Sequence, residues 1–173
     1  MNIVNIDSLN NSISETVEDS QYVDELVNDI VVKCCEGLDS YINYVRELLS
    51  PDNYNLTDEQ LDDIIMTIPT LIYFASETQE KLGLRHDVAE SRRKLSYNEF
   101  FVTTEGSAGV KKGVAENQTF DESMVVVIYD RAYNIVKSKI GTALELLQSA
   151  KKVVSRRMQS VDISKSAPNY DKR

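Results

Sequence analysis

The chain has 173 residues, 42% of them hydrophobic, with only 6 Gly and 3 Pro. That is enough to bury one core without staples, and too few turn formers for a many-stranded sandwich. The net charge of −9 would repel a polyanion if it were spread evenly, but it is not. Residues 1–65 hold 15 Asp/Glu against Lys33 and Arg46, a balance of −13, whereas residues 66–173 come to +4 and residues 131–173 alone to +7. Such asymmetry predicts a basic region suited to a polyanion or an acidic partner, with an acidic region elsewhere.

The opening MNIVNIDSLNNSISETVEDS has neither a basic leader nor an apolar stretch, and no run approaches the roughly 18 apolar residues of a membrane span. The expected location is therefore the cytoplasm, with no membrane contact. Cys34 and Cys35 are adjacent. Neighbours on a helix point about 100° apart, which suits a reduced interior pair better than a disulfide.

Residues 1–18 are polar, with Leu9, Ile13 and Val17 four apart, and are expected to be a flexible or frayed terminus. A helix is predicted over 21–49. Val23, Val27, Ile30, Cys34, Leu38, Tyr41, Val45 and Leu48 form one stripe, Asp19 or Ser20 caps the start, and Ser50-Pro51 ends it. PDNYN then reads as a turn. Thr57 and Gln60 have capping-box spacing and open a second helix, with Leu61, Ile64, Ile65, Ile68, Leu71, Ile72 and Leu82 as its apolar face. Pro69 predicts a kink or break near Ile68, and Gly83 a C-terminal stop.

RHDVAESRRKLSYNEFFVTT, residues 85–104, reads as a separate, more polar helix, and EGSAGVKKG as a mobile loop. Thr119 and Glu122 repeat the capping-box spacing. Behind them Val125, Ile128, Ala132, Val136, Ile140, Ala143, Leu147, Ala150, Val154 and Met158 recur at helical steps. A helix over 121–159 would be roughly 58 Å long, more than one compact core can cover. The expected fold is thus all-α: an elongated helical bundle with one long C-terminal helix, a single domain over 19–159, self-associating through residues 121–159. Residues 160–173 lack periodicity and read as a flexible basic tail.

No catalytic constellation stands out. His86 is the lone histidine, flanked by Arg85 and Asp87, and no Ser or Cys nucleophile is set beside it. Asp62/Asp63 and Asp121/Glu122 belong to helix first turns, where the macrodipole accounts for them without a metal. A phosphate loop needs lysine directly after glycine, and here Lys111 follows Val110. The expectation is a non-enzyme with no cofactor and no metal.

The basic residues are more informative. Arg92, Arg93 and Lys94 run directly into Tyr97, Phe100 and Phe101, and Lys111 and Lys112 follow. Cations neutralise phosphates and aromatic faces stack unpaired bases, a combination fitted to single strands. Lys152 and Arg156, four apart near the end of the last helix, form a second patch with Lys151 and Arg157. Candidate nucleic-acid contacts are therefore Arg92, Arg93, Lys94, Tyr97, Phe101, Lys111, Lys112, Lys152 and Arg156.

From Leu82 to Met158 the order of features is a basic helix with aromatics (RRKLSYNEFF), a Gly/Lys loop (EGSAGVKKG) and a long helix ending in basic residues (AYNIVKSKI, then LLQSAKKVVSRRM). This layout resembles the T4-type recombination mediators among the helical DNA-metabolism proteins of bacteriophages. The resemblance implies a homo-oligomer that binds single-stranded DNA and helps load a recombinase, with Arg92, Arg93, Lys94, Lys111 and Lys112 as the strand contacts. The acidic first 65 residues lie outside it. They support a different expectation, an acidic protein-binding module acting on a host or phage protein as an inhibitor or assembly chaperone. A small structural protein of the virion is a third.

Overall fold

A computed structural model describes the backbone at residues 6–49 and 56–166, and side chains at 17, 20–49 and 56–161. The chain is an all-α helical bundle. Four helices follow one another, α1 (Ile6–Leu48), α2 (Asp58–Thr103), α3 (Ala108–Gln118) and α4 (Phe120–Ser166), with no strand among the described residues. The backbone divides into two compact units. Of the described residues, 6–34 and 78–136 make the first, and 35–49, 56–77 and 137–166 the second.

In the first unit the inward positions, Leu82 apart, are small or β-branched. Val23, Val27 and Val31 of α1 are buried with Leu82 and Ala89 of α2, Ala115 of α3, and Ala132 and Val136 of α4. The second unit is richer in large aliphatics. Leu38 and Val45 are buried with Leu61, Ile64 and Ile68 of α2 and Ile140 and Leu147 of α4. Each fully buried Leu or Ile contributes about 1.5–3 kcal/mol. Lys139 Nζ adds a link by donating to both carboxylate oxygens of Asp39, at 2.7 and 2.6 Å. Both side chains are about one-third exposed (35% and 34%), so the pair adds no more than about 1 kcal/mol.

The start of α2 is as the sequence predicts. The Thr57 amide donates to Gln60 Oε1 at 2.8 Å, and the Gln60 amide donates to Thr57 Oγ1 at 3.2 Å, a reciprocal capping box. Other local signals are overridden. α1 begins at Ile6 and runs through Asp19 and Ser20, so neither is a cap, and the Ser20 hydroxyl donates to the Val17 carbonyl instead. Pro69 lies exposed inside an unbroken α2. Gly83 does not stop the helix, because Leu82 and Ala89 are buried on either side of it, which outweighs the roughly 1 kcal/mol that glycine costs. A Cβ at Gly83 would rest 3.5 Å from the Tyr133 ring. Residues 85–103 therefore continue α2 rather than forming a helix of their own.

The predicted loop after residue 104 is mostly helix. The Thr104 hydroxyl and amide both donate to the Phe100 carbonyl, at 2.6 and 3.0 Å, and close α2. Gly106 then adopts φ +120, where an L side chain is strained, and reverses the chain. Ser107 has extended φ/ψ, and its carbonyl accepts the first bond of α3 from the Lys111 amide. Lys111 and Lys112 thus sit on a helix.

Thr119 is not the predicted cap of α4. Its buried hydroxyl donates backwards to the Ala115 carbonyl at 2.8 Å, so it closes α3. Its own carbonyl accepts from the Ser123 amide and hydroxyl and starts α4. α4 also extends over residues 160–166, assigned to the tail in the sequence reading, while 167–173 and the predicted turn at 51–55 lie outside the described residues. Among the described residues no helix is long and apolar enough to cross a membrane.

Much of the α4 stripe, expected to need a neighbour from this chain or another copy, is buried. Ala132, Val136, Ile140, Ala143, Leu147 and Ala150 of α4 are all buried, and exposure returns only at Val125 and Met158.

Candidate functional site

The densest gathering of the predicted residues is in the first unit, where the C-terminal part of α2 faces α3 and the start of α4. The 93/94/97/98 spacing turns one side of α2 towards Thr119, Phe120 and Ser123. Arg93, Lys94, Tyr97 and Asn98 line a groove of about 470 Å³ together with Glu116 and Phe120. Phe120 is 59% exposed, a large aromatic face left open to solvent. Tyr97 is half-buried, and Phe101, one turn on, stacks on it with ring centroids 6.2 Å apart and planes 18° from parallel. Phe101 therefore braces Tyr97 rather than lining the groove.

The cations differ in how free they are. Lys94 Nζ lies 2.8 Å from Glu90 Oε1, and this bond, with the lysine's charge, holds the Glu90 carboxyl below its ordinary range. Lys112 of α3 lies 3.6 Å from Glu116, one turn on. Both pairs are well exposed, so water and salt screen them and a phosphate can displace the carboxylate at small cost. Arg92 and Arg93 have no carboxylate within ion-pair distance among the described residues, and neither does the half-buried Lys111.

Arg92 belongs to a neighbouring groove of more apolar character. It is lined by Leu84, Arg85, Val88, Arg92, Val125 and Tyr129, with Glu122 at its edge. The predicted basic surface is therefore interrupted: Arg93 and Lys94 serve one groove, Arg85 and Arg92 the next, and carboxylates sit among them.

Lys152 and Arg156 belong to the second unit, on exposed positions of α4. Their neighbour Arg157 is engaged within the chain. Its Nη1 donates to Asp58 Oδ1 at 2.5 Å and its Nη2 to the Leu56 carbonyl at 2.6 Å. It tethers α4 to the chain entering α2 and is no longer a free cation.

His86 is partly covered, with Nδ1 3.3 Å from the exposed Asp87 carboxylate. Cys34 and Cys35 are both free thiols. Cys35 is buried, and burial pushes the Cys34 thiol up, an effect the nearby Arg85 charge only partly offsets. A raised thiol has little thiolate at neutral pH and is a poor nucleophile. Among the described residues no three His, Cys, Asp or Glu gather as a metal site.

Sequence reasoning missed Phe120, which lies outside the α4 stripe and next to a residue taken for a cap. It also missed Glu116 and Asn98. The available signal was an aromatic at the helix start that falls outside the apolar stripe of α4.

Comparison with protein-family models, curated proteins and solved structures gives no match.

Proposed function

We propose that this protein is a non-enzymatic accessory protein that holds single-stranded nucleic acid, of the kind that serves phage DNA replication and recombination. The observation that carries the reading is the groove in which Arg93 and Lys94 stand beside the aromatic faces of Tyr97 and Phe120. Two cations can track a strand backbone, and the two rings can take a base each or clasp one between them. Unpaired bases stack on such faces at about 1–3 kcal/mol each, without regard to sequence. Its open character suits a strand rather than a compact substrate. The layout similarity of residues 82–158 to the recombination mediators supports the same reading and adds a recombinase as the downstream partner. A single groove of this size binds weakly, so useful affinity requires several copies acting on one strand.

The test is fluorescence anisotropy of labelled single-stranded DNA against full-length protein at low and moderate salt. Saturable binding that weakens steeply with salt is expected. Absence of binding at low salt ends the proposal.

A second reading is favoured by a separate observation. Asp24, Glu25 and Asp29 of α1 are exposed, with no ion pair among the described residues. An acidic face of this kind fits a basic protein partner, as an inhibitor or assembly chaperone would have. Recovery of a stoichiometric basic protein with no nucleic acid carried along would favour it over the first.

A further inference from the structure

We propose that the outward face of α2 in the first unit is a parallel helix-pairing surface for a second copy of this chain. Four large apolar residues of that face stand in solvent: Leu84 at 66%, Val88 at 46%, Leu95 at 70% and Val102 at 76% exposed. Their opposite side is the one the chain uses for its own core, since Leu82 and Ala89 point inward and are buried. α2 is thus apolar on two opposed faces, and only one of them is covered.

The spacing of the exposed residues is the reason to expect another helix there. Val88, Leu95 and Val102 are seven apart, and Leu84 stands four before Val88. With those three at heptad position a, Leu84, Ser91 and Asn98 occupy d. Core apolar residues at a, with polar Ser and Asn at d, describe a seam that is moderate in strength and definite in register.

The flanking charges select the partner and its direction. In a parallel pair each g residue meets the e residue five positions on in the partner helix. Glu80 then meets Arg85, Asp87 meets Arg92, and Lys94 meets Glu99: three contacts, all of opposite sign. All six side chains are on exposed positions. An antiparallel pair packing the same apolar residues is centred near residue 93. It would bring Arg92 onto Arg92 and Lys94 onto Lys94. Charge complementarity between identical copies is therefore complete for the parallel arrangement, whereas the antiparallel one mixes these like-charge contacts with an Arg85–Glu99 contact.

This places self-association on α2 instead of on residues 121–159, whose stripe is buried from Ala132 to Ala150. It stands independently of the nucleic-acid reading. If both hold, the parallel register sets the two Arg93–Tyr97 grooves at the same level along the paired helices, so one strand can engage both.

The test is sedimentation equilibrium of the full chain without nucleic acid, with circular dichroism to check the fold. The wild type should associate. Leu95→Glu, at a position 70% exposed, should keep its helicity and raise the dissociation constant by about tenfold or more. Arg92→Glu should weaken association, and Asp87→Arg combined with Arg92→Glu should restore it. That rescue occurs only if Asp87 of one copy meets Arg92 of the other. A wild type that is monomeric at high concentration overturns the proposal, as does a folded Leu95→Glu variant that associates normally. Failure of the double variant to recover overturns the parallel register.

Discussion

Removing Arg93 and removing Phe120 should damage strand binding in different and separable ways. Each phosphate neutralised on a single strand contributes about −0.7 to the slope of log K against log salt. A groove using Arg93 and Lys94 should therefore show a slope of about −1.4 per strand contact. Arg93 has no carboxylate within ion-pair distance among the described residues, so Arg93→Gln should reduce that magnitude by about 0.7. Lys94 already exchanges its phosphate contact against Glu90, so Lys94→Gln should change the slope less. Phe120→Ala removes a stacking face worth about 1–3 kcal/mol, roughly fivefold to more than a hundredfold in affinity, and leaves the slope alone. Because Phe120 is 59% exposed, its loss should not move the melting temperature appreciably. The assay is anisotropy of a labelled oligonucleotide titrated at four or five salt concentrations for each variant. A wild-type slope near zero, or one that Arg93→Gln leaves intact, would refute the groove as the phosphate site. A Phe120→Ala variant with undiminished affinity would refute stacking there.

Two further outcomes follow from the second unit. Pro69→Ala restores a backbone donor inside α2 at an exposed position, and should stabilise the protein by roughly 1–3 kcal/mol, seen as a melting temperature several degrees higher. An unchanged or lower melting temperature would mean that the surrounding packing depends on the proline. Tyr41 donates to Asp63 at 2.7 Å, and burial, followed by that carboxylate, pushes its pKa from an ordinary 10.0 up to about 12. A phenol whose folded pKa is raised contributes stability that is whole below the unfolded value and is lost as pH rises through the folded one. Urea melts should therefore show stability falling between about pH 10 and 12, and Tyr41→Phe should flatten that fall. Parallel profiles for the two proteins would show that the Tyr41–Asp63 contact does not persist in solution.

The fold was legible where the signal was one of periodicity. The Val23–Val27 and Leu61–Ile64–Ile68 spacings and the α4 run from Ala132 to Ala150 all describe faces that are buried. It was illegible where a single residue had to be weighed against packing elsewhere. Pro69, Gly83 and the Gly106–Gly113 stretch each read locally as an interruption, and two of the three were outvoted by buried neighbours such as Ile68 and Leu82. Thr119 shows a subtler failure. The hydroxyl is used as a cap, but for the helix behind it, and spacing alone does not give direction.

The site was partly legible for a related reason. Arg93, Lys94 and Tyr97 are local in sequence and meet in one groove, whereas Phe120 joins them only because α3 brings the start of α4 back. The pairing face of α2 was hidden because its four apolar residues are diluted among charges. It becomes visible once Leu82 and Ala89 are known to point the other way.

The 11-residue α3 carries Gly109 in its first turn and Gly113 at its middle, with open space around both, and Ala115 is its one buried residue. The interior Gly113 alone costs about 1 kcal/mol against alanine in a segment too short to be helical by itself. Its amides should accordingly exchange with solvent deuterium far sooner than those flanking Ile68 or Val136. The element bearing Lys111, Lys112 and Glu116 is thus expected to open more readily than the long helices. Whatever grips it would register first as slowed isotope uptake there, well before any displacement of the longer helices.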